Sequence, residues 1–136
     1  MTDQQVAAEV AESEFERFCD AMDIDADPLG MDEEELKGFS ATKRALIKSM
    51  CAGQLVIDEA GRPVYTPRVG DNRSPIVFSE PTGSSYMAMD SKKKSHDVTK
   101  MYAAMADMTG QPINRFSRMA NRDIKVCQKI VVLFMA

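Results

Sequence analysis

The feature that most constrains the fold is the junction at residues 76–90, where a strand-like run passes directly into a helical one. The Ile-Val-Phe run at 76–78 is typical of a strand, and the Pro-Thr-Gly run at 81–83 ends it. A short helix is then predicted up to Met89, with the threonine of that run as its N-terminal cap. The junction therefore predicts a small sheet before it and helices after it.

The residues before the junction predict a β-hairpin and a third strand. Residues 54–58 and 63–66 are rich in strand-forming side chains, and Gly61 lies between them, where a tight turn favours a positive φ. Residues 74–78 make up the third predicted strand. Together these runs predict a small antiparallel β-hairpin or sheet over about 54–78.

Two helices are predicted ahead of the sheet. Apolar residues recur at the spacing of one helix face over residues 3–22. Asp32 and Glu35 have the spacing of a capping box, so a second helix is expected to begin there and to end before Gly53. The run 23–30 contains aspartates, a proline and a glycine, and it separates the two helices.

Further helices are predicted after the junction. Ser95 is expected to cap a helix that Gly110 ends, after a polar joint at 91–94. Pro112 then opens a brief helix, and Asn121 caps the last one. The predicted fold class is therefore α+β and mainly α, with the small sheet packed against several short amphipathic helices.

The charges of the chain are distributed unevenly. Residues 1–36 hold thirteen acidic residues against one arginine, a net charge of −12, whereas residues 37–136 hold sixteen Lys and Arg against eight acidic residues, a net charge of +8. The acidic part either docks on a basic surface, of a partner or of this chain, or only keeps an exposed helix soluble. We divide the chain into an acidic N-terminal helix and linker at 1–30 and a single α+β domain at 31–136.

The sequence contains none of the motifs that carry catalysis or cofactor binding. The three cysteines lack metal-ligand or redox spacing, and His96 is the only histidine. No glycine-rich phosphate-binding motif is present. The alternating aspartates at 23–27 resemble the start of a calcium loop, but Pro28 stands where that loop requires glycine. We expect no enzyme, no metal and no cofactor.

Membranes and nucleic acids are also unfavoured as partners. No run approaches the ~18 apolar residues that a membrane-spanning helix needs, and the N-terminus does not resemble a signal peptide. Lysines at 92–94 and the basic residues of 115–129 make the second half cationic, and the turn at 110–112 could join two helices of a DNA-binding motif. However, the sequence pI of about 5.0 is not that of a typical DNA-binding domain.

The distribution of methionine indicates a candidate binding region, since seven of the eleven methionines lie from Met87 onward. Flexible methionine side chains suit surfaces that bind varied apolar helices, although any single methionine more often fills a core. We select partner-binding candidates from this region on that basis. They are Met87, Met89, Met101, Met105, Met108, Phe116 and Phe134.

The second half of the chain resembles the tail assembly chaperone family of tailed bacteriophages, over about residues 74–136. The matching features are the strand and Glu-Pro pair within 76–83, the helix and Met-Thr-Gly-Gln-Pro turn within 96–112, and the Arg-Asp pair that opens the last helix at 121–134. The long acidic N-terminal extension departs from the family pattern.

The resemblance implies a non-enzymatic assembly factor. Such a protein binds the tape measure protein, keeps it soluble in the host (bacterial) cytoplasm, and is absent from the mature virion. In the family, a frameshifted extension recruits the tail tube protein. Self-association into a homo-oligomer is left open, and two alternatives remain: a structural or adaptor tail protein retained in the virion, and a small DNA-binding regulator.

Overall fold

The computed structural model describes residues 7–90 and 97–135, in which six α-helices accompany a three-stranded sheet. This arrangement confirms the predicted α+β, mainly α class. In chain order the elements are α1 (Ala8–Ala21), a 3-10 turn (Pro28–Gly30), α2 (Glu33–Cys51), β1 (Leu55–Ile57), β2 (Pro63–Tyr65), β3 (Ile76–Val77), α3 (Gly83–Asp90), α4 (Asp97–Thr109), α5 (Ile113–Ser117) and α6 (Asn121–Met135).

Helix α2 begins and ends as its sequence predicts. The Glu35 backbone N–H donates to the Asp32 carboxylate at 2.8 Å, and the Asp32 N–H donates to the Glu35 carboxylate at 3.4 Å, which completes the capping box. The chain leaves the helix through Gly53, whose φ of 87° is one that glycine adopts at no steric cost.

The sheet is antiparallel in the order β1-β2-β3. Leu55 lies opposite Tyr65, and Val64 lies opposite Val77. The turn between β1 and β2 is closed by the Asp58 carboxylate, which accepts the backbone N–H groups of residues 60 and 62, each at 2.9 Å. The register places the alternate side chains of β1 and β2 in the core.

A single hydrophobic core joins both halves of the chain. Helix α1 contributes Phe15 and Phe18, which are each only 1% exposed, and it packs against α2 and β1. The Phe18 ring meets the Phe134 ring of α6 edge to face, with 5.3 Å between centroids. The helical part of the acidic N-terminal segment therefore shares its core with the rest of the protein, and the division of the chain at residue 30 stays a prediction.

The remaining boundaries show small differences from expectation. The carbonyl of Ala120 accepts the N–H groups of Asp123 and Ile124, each at 2.9 Å, so the residue that caps α6 is Ala120 and the prediction of Asn121 is wrong by one position. The predicted helix start at 3, the polar joint at 91–94, the Ser95 cap and His96 lie outside the described residues.

Candidate binding surfaces

Three of the predicted partner-binding residues are core residues. Met105 and Phe116 are fully buried and Met108 is 4% exposed. The reason is that the apolar face of α4 packs on α5 and α6, and the carbonyl of Met108 accepts the backbone N–H of Ser79 at 3.0 Å, which ties α4 to the end of the sheet. The expectation that these three side chains line a binding surface is therefore corrected. Their helical spacing does indicate an apolar face, but that face packs in the core.

The other four predicted residues are accessible to different degrees. Met87 on α3 is 74% exposed. Met89 on α3 and Met101 on α4 are half-buried, as is Phe134 on α6. Helices α3 and α4 pack on each other, so the structure places Met87, Met89 and Met101 on one helix pair and Phe134 elsewhere.

Helix α3 is held to α4 by hydrogen bonds. Ser85 is its one buried residue, and the hydroxyl groups of Ser84 and Ser85 donate to the Asp107 carboxylate of α4 at 2.9 and 2.7 Å. Two apolar side chains of α3, those of Tyr86 and Met87, take no part in these bonds and project into solvent. We call the exposed apolar residues of this helix pair the α3–α4 surface: Tyr86 (53% exposed), Met87 (74%) and Val98 (52%).

A second surface is a groove between the α1–α2 connection, α2 and the end of α6. Its volume is about 690 Å³. We call it the acidic groove, because its lining combines apolar side chains, which we call its floor, with four exposed carboxylates, which we call its rim. The floor contains Met22, Ile24, Met31, Phe39, Val132 and Phe134, and the rim contains Asp23, Asp25, Glu35 and Glu80.

Sequence reasoning missed the acidic groove except for Phe134. The Asp-Ile-Asp run at 23–25 is interpreted from sequence as a helix breaker, yet its alternation of acidic and apolar side chains supplies both rim and floor. That alternation was the available signal. The partners contributed by α2 and α6 lie ten or more residues away and could be found only from the tertiary fold.

A smaller cavity of about 430 Å³ lies beside α3, between Arg62, Thr82 and Asp107. The hydroxyl groups of Thr82 and Ser84 are hydrogen-bonded to each other, and the Ser84 hydroxyl donates to the Asp107 carboxylate. Among the described residues that line it there is no histidine or cysteine. The Ser84 bond to Asp107 is one of those that attach α3 to α4.

Several buried titratable side chains have raised pKa values because they lie in the core. Burial raises the pKa of the Cys19 thiol to about 11 and that of the Cys127 thiol to about 12. Thiols that stay protonated are poor nucleophiles, and all three cysteines are free. Burial, followed by the hydrogen bond to Asp123, raises the pKa of Tyr65 well above its usual value.

Within residues 7–90 and 97–135, no three His, Cys, Asp or Glu side chains are grouped so that they could hold a metal ion. No helix in this described part is both long and apolar enough to span a membrane. Comparison of the chain with protein-family models, with curated proteins and with solved structures finds no match.

Proposed function

We propose that this protein is a phage tail assembly chaperone that binds and solubilises the tape measure protein and helps to recruit tail tube protein during tail morphogenesis. The observation that carries the proposal is the attachment of α3. Hydrogen bonds to Asp107 hold this helix in place, while Tyr86 and Met87 remain 53% and 74% exposed. A surface of this kind offers apolar contact area without giving up core packing.

The chemistry of the proposed partner fits such a surface. A tape measure protein is a long helix with an apolar stripe, and a bare stripe of that length favours aggregation. Methionine at Met87 can adopt many conformations and can pack against apolar side chains of different shapes. Tyr86 adds a large ring with a polar end, a combination common at protein interfaces.

The family resemblance supports the same proposal. The Glu80-Pro81 pair stands between β3 and α3, and the Gly110 to Pro112 turn stands between α4 and α5. These are the positions that the resemblance implies for the two motifs. The proposal extends to a non-enzymatic role in the host cytoplasm, with release before the virion matures, and to recruitment of tube protein through a frameshifted longer form.

Coexpression tests the proposal directly. The chain is expressed with the tape measure protein of the same operon, and the soluble tape measure fraction and its copurification are measured. We expect the wild-type chain to keep the tape measure protein soluble and the double variant Tyr86→Glu/Met87→Glu to lose much of this effect. A matched control, Val10→Glu/Val56→Glu, changes two residues that are each 54% exposed on α1 and β1.

Four results would contradict the proposal. Tape measure solubility could be the same with and without the chain, or both double variants could behave alike. Mass spectrometry of purified particles could find the chain in the virion, which would favour the adaptor alternative. Duplex DNA binding that falls steeply with salt would favour a regulator, because phosphate contacts release counterions.

A further inference from the structure

We propose that the acidic groove binds an amphipathic helix whose apolar stripe is flanked by Lys or Arg side chains. This site is distinct from the α3–α4 surface, and the proposal does not depend on the identity of the tape measure protein as partner. It rests on three properties of the groove: a supported apolar floor, a rim of one charge sign, and walls made largely of helices.

The floor is supported from beneath by core aromatic rings. Phe39 packs edge to face on Phe15 with 6.0 Å between centroids, and Phe134 packs in the same way on Phe18 at 5.3 Å. Because Phe15 and Phe18 are buried, they fix the positions of the two floor rings. A preformed apolar floor costs little ordering on binding, which favours its use as a docking site.

Val132 shows that apolar area in the groove is left uncovered. Its neighbours Val131 and Leu133 are 2% and 3% exposed, whereas Val132 is 48% exposed and lines the groove. A helix position that faces partly outward, as this one does, usually carries a polar side chain. An apolar partner would gain by covering it.

Among the described residues that line the groove there are four carboxylates and no basic side chain. Asp23 and Asp25 come from the α1–α2 connection, Glu35 from α2, and Glu80 from the segment between β3 and α3. Ion pairs among the described residues join other groups: Arg17 to Glu14, Lys43 to Glu12, and Arg62 to Asp58. The rim charges are therefore not neutralised by these pairs, and a partner with Lys or Arg beside its apolar stripe would complement them.

The walls favour a helical partner over an extended one. Helices α2 and α6 border the groove, and no residue of β1, β2 or β3 lines it. An extended peptide gains affinity by pairing with a sheet edge, which this groove does not offer. A helix instead packs its side-chain ridges between those of neighbouring helices. The carboxylates also disfavour a nucleic acid or an anionic membrane surface.

Synthetic peptides test the proposal on the full chain. The probe is a peptide of about 18 residues, since shorter isolated helices are marginal in water. It has leucines on one helix face and lysines on both flanks, and its matched partner has glutamates in place of the lysines. We expect the lysine peptide to bind about tenfold or more tightly, with a preference that shrinks as salt is raised.

Variants locate the binding. Val132→Lys places a positive charge, the same sign as that of the peptide lysines, on the floor. We expect it to lower the affinity for the lysine peptide about tenfold or more, whereas the control Val56→Lys on β1 should bind as wild type. Asp23→Asn/Asp25→Asn/Glu80→Gln should remove the preference for lysine over glutamate. Glu16→Gln/Glu59→Gln/Asp71→Asn changes net charge equally at exposed sites outside the groove and should retain that preference.

Other outcomes would overturn the inference. Equal affinity of the two peptides would show that the rim carboxylates do not contribute to binding. Unchanged binding to Val132→Lys would show that the peptide binds outside the groove. Light scattering tests whether a second copy of the chain occupies the groove. If the chain self-associates and becomes monomeric in Val132→Lys but not in Val56→Lys, the groove is a contact between copies. Circular dichroism of each variant checks that binding losses do not come from unfolding.

Discussion

The Tyr65 hydroxyl donates a hydrogen bond of 2.6 Å to the Asp123 carboxylate, and neither side chain is exposed to solvent. The same carboxylate accepts the backbone N–H groups of Arg68 at 2.8 Å and Val69 at 3.3 Å. Asp123 lies in the first turn of α6, where the helix dipole also favours a negative charge. These bonds tie β2 and the following loop to the last helix.

Removing the Tyr65 hydroxyl should destabilise the protein. In Tyr65→Phe the buried carboxylate loses one of its donors while the ring packing is kept, and we expect a loss of about 1.5–3 kcal/mol in the free energy of unfolding. Urea denaturation followed by circular dichroism measures it. Tyr86→Phe removes a hydroxyl from a 53% exposed ring and should change stability by less than about 0.5 kcal/mol. Equal effects of the two variants would contradict this interpretation.

Alkaline pH should also destabilise the fold. The Cys127 thiol has its pKa raised from 9.0 to about 12, chiefly by burial and further by Asp123. From about pH 9 upward the unfolded chain loses this proton while the folded chain keeps it, so the free energy of unfolding falls as pH rises.

Cys127→Ala tests the source of this pH dependence. The variant is expected to be less stable at neutral pH, because it removes a buried side chain, but its stability should fall less steeply between about pH 9 and 12. Val131→Ala is the control: it removes a buried side chain of α6 that has no titratable group, and it should keep the wild-type slope. If the slope is unchanged in Cys127→Ala, the loss of the Cys127 proton on unfolding is not the source of the pH dependence.

Arg17 should act as a clamp between α1 and the hairpin. Its guanidinium donates to the carbonyls of Ile57 at 2.8 Å and Asp58 at 2.7 Å, and it is held by Glu14 at 2.7 and 2.9 Å. A lysine cannot reproduce this fork of donors. We expect Arg17→Lys to cost about 1 kcal/mol, a modest value because the side chain is partly exposed. Arg44→Lys, at an exposed position of α2, should be neutral.

The order of elements could be predicted from sequence because its signals are local. The capping box of Asp32 and Glu35, the turn glycines and the alternation in β1 and β2 each act over a few residues. Burial on a given side of a helix is decided by partners far away in sequence. For that reason Met105 has the spacing of an apolar face, yet only the packing of α4 on α5 and α6 shows that this face is internal.

The candidate binding surfaces were harder to predict for the same reason. Met87 was identified from composition, but its exposure follows from the Ser84 and Ser85 bonds to Asp107, which lies 23 and 22 residues further along the chain. The acidic groove brings together residues as distant as Met22 and Phe134. Likewise, nothing in the sequence near Asp123 indicates that its partner is Tyr65, because a carboxylate in a first helical turn is usually solvated.

Gly61 should be among the least replaceable residues of the hairpin. Its φ is +84°, and a Cβ at this position would stand 2.3 Å from the Cβ of Ala21 on α1. Backbone strain and a steric clash therefore add, and we expect Gly61→Ala to cost about 2 kcal/mol or more in the free energy of unfolding.

Two comparisons separate the clash from the strain at Gly61. Gly70 has a φ of +104°, and a Cβ added there would have no neighbouring atom within 4 Å, so Gly70→Ala should carry the backbone strain alone and cost about 1 kcal/mol. The double variant Gly61→Ala/Ala21→Gly removes the clashing methyl group. Its loss of unfolding free energy, measured against the single variant Ala21→Gly, should therefore approach the loss in Gly70→Ala. If instead Gly61→Ala costs the same in both backgrounds, α1 does not approach the hairpin as closely as the Arg17 bonds to Ile57 and Asp58 require.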